Sequence, residues 1–202
     1  MEAIPLQNNA MAIVDIKLDG LFKNLLEALG GVFKKKNGAK QAILDFIMIR
    51  DIAKNIVHHG ALSVDCFIIM MVHNGGKKLT PHNFAYRSVV NGFHNEITMP
   101  NFDPEDYRHL EIDYEYALLV SELLKKKEVS MLIVNMGDSR LSLKMRFEKL
   151  KYSRFMYLFD DNNAIWYALA GTTQSNEEFD TVTHRHEFSI AISKIRNMIK
   201  KY

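Results

Sequence analysis

Between Val64 and His73 the chain reads VDCFIIMMVH, a short, dense, β-prone apolar run that closes on Asn74-Gly75-Gly76. A strand followed by turn chemistry is the expected local structure. A strand this uniformly apolar cannot leave both faces in water, so helices must cover at least one of them. Val129–Met136 (VSMLIVNM) and Ala164–Ala170 (AIWYALA) have the same character. Phe84–His94 alternates, and its roughly ten-residue connection to the first run suits an antiparallel neighbour. Arg154–Phe159 and Ala164–Ala170 flank Asp160-Asp161-Asn162-Asn163, residues that tolerate the positive φ of a tight turn, and so form a hairpin. Pro100 and Pro104 mark residues 95–110 as a loop excursion.

Helical periodicity fills the rest. Leu18, Leu21, Phe22, Leu25, Leu26, Leu29, Val32 and Phe33 recur at three- and four-residue steps, opposite Lys23, Asn24 and Glu27. A second helix is expected over Ala39–His59, with Ile43, Phe46, Ile47, Arg50, Ile52, Ala53 and Ile56 on a broad face. Further helices follow at Tyr114–Lys127 (Tyr114, Leu118, Val120, Leu123, Leu124), at Arg140–Leu150, and at Asn176–Lys201. The last has Val182, Phe188, Ile190, Ala191, Ile195, Met198 and Ile199 as its apolar positions. The order α-α-β-β-α-β-α-β-β-α excludes a doubly wound parallel sheet, which would alternate strand and helix. It predicts an α+β fold: a mainly five-stranded antiparallel sheet flanked by helices over 39–202, preceded over 1–38 by an arm and an extra amphipathic helix.

Charge and cysteine content narrow the function. The 202 residues carry 26 Lys+Arg against 24 Asp+Glu, a net +2, so no global field draws the chain to nucleic acid. Arg87 with Tyr86, Phe93, Trp166 and Tyr167 offers stacking chemistry, but sheet aromatics more often meet the core or cross-strand neighbours. Cys66 is the sole cysteine, which precludes an internal disulfide and a multi-cysteine zinc cluster and reads as a core residue. A reducing compartment is expected: cytoplasm, or host cytoplasm or a virion if the chain is viral. Glu2, Asp15, Lys17 and Asp19 argue against a secretory signal, and no window reaches a membrane span of about 18 apolar residues.

The chemistry-bearing clusters fail their tests. His58-His59 at a helix end point about 100° apart, and His184 and His186 would diverge on a helix, so no metal is expected. Asp160–Asn163 lacks the alternating ligands, central Gly and distal Glu of a calcium loop. Gly75-Gly76-Lys77-Lys78 lacks the first glycine and the Ser/Thr of a phosphate loop, and Leu79-Thr80-Pro81 follows it. No Gly-x-Ser-x-Gly elbow exists. Ser139 and Arg140, in Met136-Gly137-Asp138-Ser139-Arg140 at a strand-to-helix junction, are the best candidates for an anion contact. No catalytic residue, cofactor or metal is expected, and the chain is not expected to be an enzyme.

The segment AIWYALAGTTQSNEEFDTVTHRHEFSIAISKI resembles the last strand, polar step and terminal helix of GAF domains. The element order over 40–202 is similar to theirs and, in part, to PAS and profilin-like domains. The resemblance implies a small-molecule pocket between sheet and helices, or dimerisation through the end helices. The family's activity motifs do not carry over. There is no Asn-Lys-Phe-Asp-Glu stretch, Cys66 lies on the first strand rather than in the bilin-attachment segment, and one cysteine cannot support sulfoxide reduction. The expected function is therefore a non-catalytic protein-interaction or assembly module. It would self-associate or dock on a partner through its terminal helices, with Leu18, Leu21, Phe22, Leu25, Leu26, Leu29 and Phe33 as the interaction stripe. The alternative is a small-ligand sensor with its pocket between the sheet and residues 95–112. An anionic membrane surface is a minor option for the stripe and its following lysines.

Overall fold

A computed structural model describes residues 36–59, 64–75, 77–79, 85–107, 109–132, 150–161, 163–174 and 182–200. The leucine-rich stripe of 18–33, the junction holding Ser139 and Arg140, and residues 140–149 of the helix expected over Arg140–Leu150 lie outside them; Leu150 itself is buried and not helical. The described elements are α1 (Lys36–His59), β1 (Cys66–His73), β2 (Tyr86–His94), a 3-10 turn (Pro104–Tyr107), β3 (Leu110–Glu111), α2 (Tyr114–Lys126), β4 (Glu128–Leu132), β5 (Tyr152–Asp160), β6 (Ala164–Thr172) and α3 (Val182–Ile199).

The strands form one six-stranded antiparallel sheet in the order β3-β2-β1-β6-β5-β4. Five of them are the expected runs; the sixth, β3, falls inside the segment read as a loop. It is two residues long and pairs Leu110 with Arg87 and Glu111 with Tyr86, too short to leave a periodic trace. The two apolar runs β1 and β6 lie side by side at the centre, with Met70 opposite Tyr167 and Ile69 opposite Ala168. A bulge between Ile69 and Met70 shifts the β1–β2 register.

Side chains alternate along the central strands, so the sheet feeds two cores. On one face Phe67, Ile69, Met71, Trp166, Ala168 and Ala170 pack beneath α1 and α3, which contribute Phe46, Ile49, Ala53, Ile56, Phe188, Ile192 and Ile195. The small Ala168 and Ala170 let these helices approach the strand closely. On the other face Ile68, Met70, Val72, Tyr167 and Leu169 pack against Tyr116, Leu119, Val120 and Leu123 of α2 and against Met99 and Phe102. Cys66 belongs to this second core, fully buried, as its sequence context predicts.

Polar locks tie the layers together. Asp65, just before β1, accepts from the Thr173 N–H (2.6 Å) and from the Thr173 and Thr172 hydroxyls (2.9 and 3.3 Å) at the end of β6. The Asn91 Nδ2 donates to the Phe46 carbonyl at 2.9 Å, pinning α1 to β2 at mid-helix. Arg154 of β5, buried, donates to the Glu128 carboxylate of β4. The Asp113 side chain caps α2 by accepting from the Tyr116 N–H (2.8 Å), and Lys127 closes it in the left-handed conformation (φ 64°). In the β5–β6 turn Asp161 Oδ1 accepts from the backbone N–H groups of Asn163 and Ala164, the turn its composition calls for.

Helix rotation differs from expectation. In α1 the inward residues are Ala42, Asp45, Phe46, Ile49, Ala53 and Ile56, while Ile43 and Ile47 face out. In α2, Tyr116 and Leu119 are buried and Tyr114 and Leu118 are exposed; in α3, Ile192 is inward and Ile190 outward. Each helix is apolar on more than one side, and the sheet selects which side it takes.

Candidate functional site

Three arrangements carry chemistry. The first is on the α2 face, where Arg87 sits between Val72 of β1 and Leu110 of β3. It is only 6% exposed, and its guanidinium carbon lies 4.2 Å from the centroid of the Tyr116 ring. Its Nε makes no hydrogen bond, and no described carboxylate pairs with it. Beyond it, the Tyr116 and Tyr167 hydroxyls are hydrogen-bonded, and Tyr167 also donates to Met70 Sδ at 3.4 Å. Burial pushes the Tyr167 phenol well above its ordinary value, with Tyr116 adding to the shift, so the Tyr167 ring is neutral.

Side chains of residues 95–107 pack against this face. Met99 is buried, and Phe102 packs between the His94 ring (4.8 Å) and the Tyr107 ring (5.0 Å). On the opposite face a cavity of about 20 Å³ lies between Asp45, Asn91, Trp166 and Met198. That is room for about one water and no larger ligand.

The second arrangement is a His–Ser pair at the sheet's end. His73 Nε2 lies 2.9 Å from Ser88 Oγ, and His73 Nδ1 accepts from the Gly75 N–H at 3.2 Å. An Nδ1 that accepts has no proton, so in the neutral ring Nε2–H is the donor to Ser88. Ser88 Oγ also accepts from the His109 N–H at 3.0 Å, with His109 in the left-handed region (φ 50°). Both hydroxyl lone pairs are engaged and no base stands ready for its proton. Burial, then the nearby His109, lowers the His73 pKa to about 4. This is a structural tie across β1, β2 and the 109 bend, not an activated nucleophile.

The third lies on the outer side of α1. Ile43, Leu44, Ile47 and Met48 form one stripe at four-residue spacing, between 37% and 48% exposed. Ile190, on the other helix of that layer, is also exposed.

No protein-family model and no curated protein matches the sequence. The structure does match solved ones. The GAF domain region of a Geobacter sulfurreducens PCA protein matches with a TM-score of 0.59 at 10% identity, over 83% of this chain and 100% of that one. The phycocyanobilin-bound GAF domain of a cyanobacterial phytochrome gives 0.53 at 10% identity, over 91% and 93%. The GAF domain of a two-component sensor histidine kinase from Bacillus halodurans gives 0.51 at 12% identity, over 75% and 92%. The fold is GAF-like.

The expected interaction residues of the GAF-like chain, Leu18 to Phe33, and the anion candidates Ser139 and Arg140 lie outside the described residues. Tyr86, Arg87, Phe93, Trp166 and Tyr167 do not share a stacking surface, since Trp166 and Tyr167 enter opposite cores. His58 meets the Phe93 ring edge-on at 4.9 Å. Among the described residues no group of three His, Cys, Asp or Glu side chains stands close enough to hold a metal, and no helix is long and apolar enough to cross a membrane. Sequence reasoning took Ile43 and Ile47 into one broad face with Phe46 and Ile56, although AILDFIMI, apolar at every position but Asp45, holds more apolar surface than one helix face can bury.

Proposed function

We propose that the GAF-like domain is a non-catalytic assembly module that pairs with a second copy of itself through the outer stripe of α1. The single observation that carries this is the run Ile43, Leu44, Ile47 and Met48, left exposed on a helix whose other side is already buried. An antiparallel two-fold pairing sets Ile43 against Met48 and Leu44 against Ile47, and brings position 40, a lysine, level with Asp51. A parallel pairing would set Asp51 beside its own copy. Charge therefore favours the antiparallel arrangement and a self-partner.

Magnitudes set the strength. Completing the burial of four half-exposed side chains on each of two copies contributes about 8 kcal/mol, at about 1 kcal/mol each. Association costs about 4–15 kcal/mol. The net is at most about 4 kcal/mol, so the stripe alone supports a weak dimer in the millimolar range. A lone buried cysteine suits a reducing interior such as cytoplasm, host cytoplasm or a virion. Small-ligand sensing is a second reading, favoured by one observation: the unpaired guanidinium of Arg87 on the α2 face.

Sedimentation velocity over a concentration series tests the main reading. The full chain should show a concentration-dependent dimer, and the Leu44→Glu/Ile47→Glu variant should stay monomeric with an unchanged circular dichroism spectrum. A wild-type chain with no dimer detectable at millimolar concentration would end the proposal.

A further inference from the structure

A buried guanidinium needs a counter-charge or a full set of acceptors. The effective cost of removing such an ion from water is several kcal/mol, and a desolvated cation–π contact returns about 2 kcal/mol of it. Arg87 has the contact with Tyr116 but lacks the rest: its Nε is buried without an acceptor, and no described carboxylate forms an ion pair with it. Asp113, which caps α2, is already engaged in accepting from the Tyr116 N–H. Glu111 on the neighbouring strand is exposed and pairs in register with Tyr86 rather than Arg87. The contrast with Arg154 is instructive, because that equally buried guanidinium does have its carboxylate, Glu128.

We propose that Arg87 is the counter-ion for a small ligand that carries an oxyanion, a carboxylate or a phosphate group. The planar fork of the guanidinium suits paired oxygens better than a single chloride. The two tyrosines supply an adjustable donor beside it. The two hydroxyls share a hydrogen bond in which either can donate, and Tyr167 also reaches Met70 Sδ, a weak acceptor, at 3.4 Å. Directing the Tyr167 proton to Tyr116 sacrifices only the contact with sulfur and releases the Tyr116 proton toward an anion next to Arg87. The buried Tyr167 ring stays neutral and does not repel the ligand. This assignment rests on the second reading, ligand binding on the α2 face. It is independent of pairing through α1, which is on the other side of the sheet.

The test uses the full chain with sodium phosphate and sodium acetate as probes, at constant ionic strength set by chloride. The Nε–H resonance of Arg87 is followed by NMR, and the melting temperature is measured in parallel. A saturable shift of that resonance, with a rise in melting temperature of several degrees at millimolar probe, is the expected result. The ratio of the two responses tells carboxylate from phosphate. Arg87→Met, close in volume, should lose the melting response while keeping its fold. The proposal is overturned if wild type and Arg87→Met respond alike, since the anion then acts on the surface in general. It is also overturned if the Arg87 signal does not move. Native mass spectrometry separates the two levels of the claim. A co-purified neutral molecule whose binding survives Arg87→Met would keep ligand sensing and remove the anion; no bound mass together with no anion response would remove both.

Discussion

His73 and Ser88 meet across the β1–β2 pair at 2.9 Å, and the ring nitrogen that faces Ser88 must carry the proton, because the other accepts from Gly75. The imidazole is therefore held neutral in the folded chain. Its pKa falls from 6.5 to about 4, chiefly through burial and then through His109. Below pH 6.5 the unfolded chain takes up this proton while the folded chain resists it. Stability from this group is fully present above pH 6.5 and is lost as pH falls toward 4. At about 1.4 kcal/mol per unit the loss has a ceiling of roughly 3.5 kcal/mol, which solvent screening of the ring reduces to about 2 kcal/mol. Urea unfolding at pH 7.5, 5.5 and 4.5 should show a steeper decline for wild type than for His73→Gln. Parallel declines would refute the assignment.

Gly92 occupies a place that no other residue can take without a backbone shift. Its φ is +147°, and a Cβ there would lie 2.6 Å from the Phe67 carbonyl oxygen and 2.7 Å from Ile68 Cα. Those atoms belong to the central strand and cannot move aside. Gly92→Ala should cost about 3 kcal/mol or more, lowering the melting temperature by roughly 6–12 °C for a domain of this size. A change below 2 °C by calorimetry would contradict the close approach.

Asp65 joins the start of β1 to the end of β6 through three contacts to Thr172 and Thr173. Hydrogen bonds to a charged group contribute about 1.5–3 kcal/mol each before losses to water, and they are not additive here. Asp65→Ala should destabilise by about 2–4 kcal/mol. Asp65→Asn, which keeps one acceptor oxygen, should lose about half of that. Equal losses in the two variants, measured by denaturant titration, would show that shape rather than acceptance matters at this position.

Tyr116 and Tyr167 satisfy each other in a closed site. Removing one hydroxyl leaves the other buried with a poorer partner, whereas removing both leaves two fitting rings. Tyr116→Phe and Tyr167→Phe should each cost about 1–2 kcal/mol, and the double variant clearly less than their sum. An additive double-mutant cycle would mean that the hydroxyls are not coupled.

What could be read from the letters was the existence and type of the elements. VDCFIIMMVH and AIWYALA announced the two central strands because a uniformly apolar run has few alternatives. The helix expected over Tyr114–Lys127 is observed over Tyr114–Lys126. Rotation was not legible. Along AILDFIMI almost every side chain is apolar, so no period singles out one side, and the choice is made by a long-range contact, Asn91 holding the Phe46 carbonyl. Arg87 was visible only as a cation among aromatics. Its burial depends on Tyr116 arriving over β2 by way of the helix that Asp113 caps, a meeting that local sequence does not encode.

The β1–β6 pairing has a consequence for how the chain is born. Cys66–His73 leaves the ribosome long before Ala164–Thr172 exists, and only one of its two edges can be closed by β2 in the meantime. During that interval a greasy strand with an open side is available for mispairing between nascent chains. Folding that awaits such distant partners is slow, so recovery in expression should depend on chaperone supply and translation speed more than on the final stability of the sheet.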